Sequence, residues 1–566
     1  MKLSGGLPDF HPALITALKG YSADKFRQDL VAGIVVGIVA LPLAIAFAIA
    51  SGVGPAAGLI TAIIGGFLVS ALGGNTVQIG GPTGAFIVIV YNIVQIYGLP
   101  GLAVATLLAG AILILMGLFR LGTIIKFIPY PIVVGFTAGI AVTIFSTQMP
   151  DFFGLSIDEK LPGDFLGKWG VYFRHFNTID PMTLIVGLAS LLIVIFTPKI
   201  SRRLPGALTA IIVVTFAVWA LRRFCGIEGI ATIGDRFGNL SAALPDSSGF
   251  SFNLTTINQL LPSAFTIAML GAIESLLSAT VADGRTGART NCNTELIGQG
   301  VANAVVPLFG GIPVTGAIAR TMTNITNGGK TPVAGIIHSL VLLAIFIFAM
   351  PLINLVPMAC LAAVLIMVSY NMSGWRTVKG MIHNPKGDVS VLIVTFLLTV
   401  IFNLTIAIEI GLLLAIVVFL RRVMENTTIN VYAGQLDAAD GSDITQHEVL
   451  DLAKGVSVYE IDGPFFFGAA TKFDEMVRLS MQENPKVRII RMRKVPFIDS
   501  TGIHNLEILI QSSHDEGIEV VLSGVRDNVR EALDHAGVDK LVGPGNICNH
   551  ISKAVVVANA IAATRS

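Results

Sequence analysis

The sequence predicts an α-helical membrane protein of fourteen spans, arranged as two inverted seven-span repeats, followed by an α/β domain in water. Three observations predict it. Only 13% of the 566 residues are charged and 53% are hydrophobic, whereas a soluble domain carries about 25% charged residues. A short motif occurs twice: GGPTGAF at 80–86 is echoed by GGIPVTGAIAR at 310–320, with Thr83 and Thr315 232 positions apart. Finally, the chain is mostly apolar up to about Arg422, and then passes through AGQLDAADGSDITQHE into ordinary soluble composition. The division expected is a transmembrane domain over 1–425, a linker over 426–440 and a cytoplasmic domain over 441–566.

Several function classes drop out at once. A net charge of +1 gives no bulk electrostatic case for nucleic acid. Cys225, Cys292, Cys360 and Cys548 are scattered, so neither a disulfide framework nor a metal site is expected, and no cofactor is implied. The N-terminal basic residues precede an apolar run long enough to span, which is not the pattern of a cleavable signal.

A spanning helix needs about 20 apolar residues, fewer where it is broken. Candidate spans centre near residues 40, 65, 90, 110, 137, 189, 214, 273, 302, 320, 342, 362, 395 and 412. Lys25 and Arg27 precede span 1. Further basic residues follow even-numbered spans: Arg120 and Lys126, Lys199, Arg202 and Arg203, Arg285 and Arg289, Lys330, Arg376, Lys379 and Lys386, and Arg421 with Arg422. The positive-inside rule puts that side and both termini in the cytoplasm of a plasma (inner) membrane. Arg222 and Arg223, after span 7, run against the pattern. The long loops near 150–180 and 225–260 then face outward.

The repeated motif opens spans 3 and 10. An offset of seven, an odd number, forces the second repeat to enter from the opposite side. Transporters built this way place their site at the N-termini of broken helices near the midplane. Proline is tolerated in a first helical turn, and threonine can cap one. Small residues, here Gly84, Ala85, Gly316 and Ala317, let a ligand approach free backbone N–H groups. Those groups and the helix dipole favour negative charge. Arg320, about one turn past Thr315, adds a whole positive charge. The pair of motifs reads as the two halves of an anion site.

Glu274 lies near the middle of span 8, in AFTIAMLGAIESLLSATVADG. A charged carboxylate there costs about 2.5–3.5 kcal/mol on insertion scales, so such groups usually face a cavity and act. Ser275 is adjacent and Ser278 is one turn on. The functional reading is a proton or sodium site beside the substrate; the structural alternative pairs Glu274 with Arg320. Glu295, among Asn and Thr, reads as an interface residue, and Glu409 as a packing or dimer residue. Pro42 is expected to kink span 1, and Phe47 is a candidate to line the site.

In the tail, VSVYEIDGPFFFG reads as two strands, AATKFDEMVRLSMQ as a helix and VRIIRMR as a strand. A helix over Ile503–His514, the strand IEVVLSG and the helix VRDNVREALDHAG follow. Alternating strands and helices indicate an α/β domain. Asp499 and Ser500 of IDSTG open a helix, where N-capping is the plain explanation. The chain has no nucleophile–base pair or Walker loop, and no enzymatic activity is expected.

The chain resembles the sulfate permease / solute carrier 26 transporters. The resemblance rests on GGPTGAF, GGIPVTGAIAR, the glutamate of GAIES, NTELIGQGVANAVVPLFGG, and a tail with IDSTG similar to the family's STAS domain. GAIESLL together with ELIGQG and AIAR is most similar to the bacterial branch that moves C4-dicarboxylates. The resemblance implies a core domain (spans 1–4 and 8–11) moving against a gate domain (spans 5–7 and 12–14) in a homodimer. By motif position it assigns Thr83, Gly316, Ala317 and Ile318 to anion contact. It sets Glu274 and Ser278 where sodium-coupled bicarbonate members have an aspartate and a threonine; a glutamate favours protons. Ser500 matches the serine phosphorylated in soluble antagonists, and cytoplasmic protein partners of the tail follow from the same likeness. The expected function is secondary active, proton-coupled transport of a dicarboxylate such as fumarate or succinate. Sulfate or bicarbonate transport, an anion channel, a nucleobase permease and a sensor are the alternatives.

Overall fold

A computed structural model describes residues 10–123, 129–159, 161–162, 164–201, 205–226, 229–238, 254–402, 404–437, 449–468 and 485–564. The membrane part holds helices α1 (Ala23–Ala50), α2 (Pro55–Leu72), α3 (Gly84–Leu118), α4 (Tyr130–Thr147), α5 (Phe165–Arg174), α6 (Pro181–Ile200) and α7 (Gly206–Cys225). It continues with α8 (Leu254–Thr286), α9 (Cys292–Val305), α10 (Ile318–Thr326), α11 (Val333–Ile353), α12 (Met358–Met372), α13 (Lys386–Ile401) and α14 (Leu404–Asn426). Nine helices among the described residues are long and apolar enough to cross a membrane. A helix stands at each expected span centre. The centres near 90 and 110 share α3, whose course breaks at Gly98 (φ 68°, ψ −172°), two residues before Pro100. Left-handed φ favours glycine, and proline ends a helical ladder, so the two halves of α3 meet at a bend.

Pro42 lies inside α1, as expected. It is buried, its missing N–H removing one ladder bond from a helix packed against α2 and α11.

Helix packing sorts the membrane part into two groups. In one, α3 packs on α8 and α9, α1 on α10 and α11, α2 on α9, and α8 on α10. In the other, α4 packs on α12 and α13, and α6 on α7 and α12. The groups follow the expected core and gate. They are interleaved along the chain, so neither could be seen as a continuous segment.

Between the core helices, β1 (Gly80–Gly81) pairs antiparallel with β2 (Thr315–Gly316), Gly80 opposite Gly316 and Gly81 opposite Thr315. The two copies of the motif thus meet in register, and each strand runs directly into the start of a helix, α3 or α10.

The soluble unit forms a five-stranded sheet in the order β3 (Thr428–Ala433), β6 (Val456–Asp462), β7 (Val487–Lys494), β8 (Glu519–Ser523), β9 (Ile547–Cys548). A hairpin, β4 (Gln435–Asp437) with β5 (Val449–Asp451), stands apart. Strand β3 is antiparallel to β6 and the other pairs are parallel. One face packs Tyr459, Ile490 and Leu522 against Leu506 and Leu509 of α15 (Ser500–Asp515) and Leu533 of α16 (Asp527–Ala536). The other packs Val458, Ile489 and Val521 against Ile551, Val555 and Ala558 of α17 (Ile551–Thr564).

Two details differ from the sequence reading. Strand β3 lies in the segment read as a linker, because Thr428–Ala433 alternates enough β-branched and aromatic residues to pair with Ser457–Asp462 of β6. VSVYEIDGPFFFG forms one strand rather than two; after Gly463 (φ 122°) only Phe465 bridges, to Ile498. The helix expected over AATKFDEMVRLSMQ lies outside the described residues.

Candidate functional site

The starts of α3 and α10 open into a cavity of about 630 Å³. Thr83, Gly84, Ala317, Ile318 and Arg320 line it beside Phe47 of α1 and Glu274 of α8. Across from them Thr137 (α4), Val194 and Pro198 (α6), Gly206 (α7) and Met367, Asn371 and Met372 (α12) complete the wall. The cavity therefore lies between the two helix groups. Its lining at Pro198, Pro205 and Met372 falls at the end of α6, just before α7, and at the end of α12, on the side where Lys199 and Arg376 stand.

The first three amides of α10, those of Ile318, Ala319 and Arg320, lie in the turn that has no intrahelical partner. Arg320 is 3% exposed. Its Nη1 and Nη2 donate to the carbonyls of Gly80 (3.4 Å) and Pro82 (3.3 Å) and, among the described residues, to no carboxylate. A Cβ on Gly81 would overlap the guanidinium, so that glycine is what lets β1 cross so closely. Glu274 accepts a hydrogen bond from Thr83 Oγ1 at 2.7 Å. The structural alternative of a Glu274–Arg320 pair is not what forms: the two line one cavity with separate partners.

Neither threonine caps a helix, contrary to the sequence reading. Thr83 spends its hydroxyl on Glu274, and Thr315 donates to the Gly271 carbonyl at 2.8 Å. Both therefore tie the crossing to α8. Ala85 and Gly316 are buried behind the cavity wall rather than in it. Ser278 also turns away, making a 3.2 Å contact with Thr321 of α10. Ser500 is the exposed first residue of α15, and Asp499 is its cap, accepting from Gly502 N at 2.7 Å.

A second carboxylate carries more than the sequence reading gave it. Glu295, read as an interface residue, is 0% exposed. Its Oε2 accepts from the amides of Gly74 (2.8 Å) and Asn75 (3.1 Å). Its Oε1 accepts from Gln78 Nε2 (2.7 Å) and Ser275 Oγ (3.2 Å). Gln78 also donates to Ser275 at 2.6 Å. This network ties the approach to β1 to α9 and to the neighbour of Glu274. Glu409 is exposed on α14. The gate-side residues Thr137 and Asn371 carried no sequence signal, since each is one of several polar residues in an ordinary span.

The helix starts and Arg320, which meets no carboxylate among the described residues, line one cavity between the two helix groups. Comparison with known proteins decides the family: a model described as the sulfate permease family matches residues 26–395. The chain belongs to the sulfate permease family. A STAS domain model matches residues 449–554. YvdB of Bacillus subtilis (strain 168), whose name assigns it provisionally to sulfate transport, is 40% identical over 94% of this chain and 98% of that protein. The bicarbonate transporter BicA of Synechocystis sp. is 29% identical over 93% of each. Among solved structures, the transmembrane domain of a cyanobacterial BicA matches with a TM-score of 0.60 at 28% identity, covering 70% of this chain and 98% of that one. Murine Slc26a9 in the inward-facing state matches with a TM-score of 0.84 at 19% identity over 97% and 94%, a likeness of fold. This member of the sulfate permease family is a multi-pass membrane anion transporter with a C-terminal STAS domain, and not an enzyme.

Proposed function

We propose that the protein carries C4-dicarboxylates such as fumarate or succinate, coupled to protons through Glu274. The observation behind this is that Glu274 and Arg320 line one cavity without pairing. One substrate carboxylate fits the amides at the start of α10 beside Arg320. The apolar wall of Leu43, Phe47, Leu277 and Val364 suits the carbon chain between two carboxylates. An ionised Glu274 repels the anion, and a proton on it removes the repulsion. Anion and proton then favour each other's binding, because coupling free energy is reciprocal. The inverted-repeat reading supplies fourteen spans, both termini cytoplasmic, in a plasma-membrane homodimer. The STAS domain is assigned to rate, assembly or binding of a cytoplasmic partner, with Ser500 as a candidate regulatory position.

A second reading is favoured by the relatives named for sulfate and bicarbonate: a single inorganic oxyanion at the same helix starts, with Glu274 in a sodium site. The deciding experiment is uptake into proteoliposomes of labelled fumarate, succinate, sulfate and bicarbonate, with and without imposed pH and sodium gradients, for wild type and Glu274→Gln. The expected result is dicarboxylate uptake driven uphill by protons in wild type. In the variant, binding persists while pH dependence and accumulation are lost. Sodium-driven uptake of an inorganic anion that ignores pH supports the second reading and sinks the first. Unchanged accumulation in Glu274→Gln makes that residue structural.

A further inference from the structure

Helix α5 sits in the loop between α4 and α6, its start capped by Asp164, which accepts from Gly167 N at 2.6 Å. It packs on α4 and α13, in the gate group. Lys168 on this helix reaches the other group: its Nζ stands 4.7 Å from the ring centre of Tyr91 in α3. Tyr91 lies midway between the cavity-lining Gly84 and the bend at Gly98, and α5 precedes the start of α6, whose other end lines the cavity at Pro198. The contact thus spans core and gate at the end opposite the cavity's mouth.

The cluster is made of buried donors. Lys168 is 5% exposed and Tyr172 2%. The Trp169 indole N–H and the Tyr172 hydroxyl are buried and have no hydrogen-bond partner among the described residues. The Lys168 ammonium stands over the tyrosine face and, among the described residues, forms no ion pair within 4 Å. Lys168 and Tyr172 are four residues apart on one helix face, and the Trp169 and Tyr172 rings touch at 5.8 Å. The neighbouring carboxylates are engaged: Asp164 caps α5, and Asp151 pairs with Arg236 at 2.6 Å. Burial holds the Lys168 ammonium below the usual lysine range, although Asp164 acts the other way. A cation–π contact returns only part of what burying an ion costs. Two buried donors without an acceptor among the described residues, next to a buried ammonium on the same helix, fit one chemistry, an oxyanion: carboxylate, sulfate or bicarbonate.

We propose that Lys168, with Trp169 and Tyr172, forms an anion-recruiting site at the outer mouth, masked by Tyr91 while that mouth is closed and released when core and gate part there. This rests on the transporter reading and its orientation, not on the identity of the substrate. Leu166, Phe173 and Phe176 are exposed around the cluster, so a lipid headgroup phosphate has the same chemistry as the transported anion. The occupant we assign is the transported anion.

The test uses full-length protein in oriented proteoliposomes, with fumarate and sulfate as probes supplied from either side. Lys168→Gln is expected to raise KM about tenfold for anion offered on the α5 side and to leave KM from the other side within twofold. Lys168→Arg is expected to keep both. Tyr91→Leu, which uncovers the lysine, is expected to lower KM on the α5 side. In wild type, anion on that side is expected to slow amine-reactive labelling of Lys168, a readout that needs no variant to fold. Equal KM changes from both sides, a fall in kcat alone, or labelling indifferent to anion makes Lys168 a clamp between the two groups and overturns the proposal. A Lys168→Gln effect that disappears in liposomes without anionic lipid assigns the site to a headgroup and overturns it too. Glu274→Gln alters pH dependence without sidedness in KM, so failure here is distinguishable from failure of the coupling reading.

Discussion

Gly316 is the position where the least atom should do the most damage. A Cβ there would overlap Gln78 Nε2 and Cδ and stand 3.0 Å from Ser275 Oγ. Gln78 cannot swing away freely, since Nε2 is held by Glu295 at 2.7 Å and by Ser275 at 2.6 Å. Displacing it loses a hydrogen bond to a charged group, about 1.5–3 kcal/mol, and adds an overpacking cost of about 1–3 kcal/mol. At the low end this is about 2.5 kcal/mol, on the order of 100-fold. The cost falls on the β1–β2 crossing that orients the starts of α3 and α10, so we expect Gly316→Ala to lower uptake kcat/KM about 100-fold while the protein still elutes as a single folded species. A double-mutant cycle checks the cause. In a Gln78→Ala background, already impaired, adding Gly316→Ala is expected to cost less than about fivefold, because contacting residues are non-additive. Equal costs in both backgrounds, or wild-type uptake in Gly316→Ala alone, would refute the claim that a pinned Gln78 sets the geometry.

Thr83→Val keeps the shape and removes the donor to Glu274; uptake is expected to fall about 10- to 100-fold, the worth of a hydrogen bond to a charged group. Circular dichroism should stay unchanged, since Thr83 caps nothing; lost helicity would mean that it does. Glu295→Gln should be worse than its isosteric shape suggests. Its amide nitrogen must face either two backbone N–H groups or Gln78 and Ser275, so we expect at least a tenfold loss of uptake and a lower Tm, with part of the uptake regained in Glu295→Asp; a neutral variant contradicts the four-donor arrangement. For the soluble unit, a fragment over 427–566 is expected to unfold at a higher temperature than one over 441–566, which lacks the edge strand pairing with β6; equal Tm values would show β3 to be dispensable.

The sequence alone determined the class of molecule and pointed to some of the residues that line the cavity. Scarce charge leaves long helices little choice but the bilayer, and lone basic residues between spans carry an orientation signal. Two copies of a Gly-Pro-Thr-Gly motif could be matched because repeats share local chemistry. The α/β tail was legible for the same reason: alternation and helical period are local. What the sequence left open depends on which local pieces meet. Thr83 and Glu274 are 191 positions apart, and Gln78 and Glu295 are 217 apart. A threonine before a helix looks like a cap until another carboxylate competes for its hydroxyl, and a glutamate near polar residues looks like a surface group until four donors close around it. Thr137, Asn371 and Lys168 are polar residues whose sequence neighbours say nothing of what faces them. Only the packing of two interleaved helix groups puts the first two in the cavity wall and sets the third over a tyrosine of the opposite group.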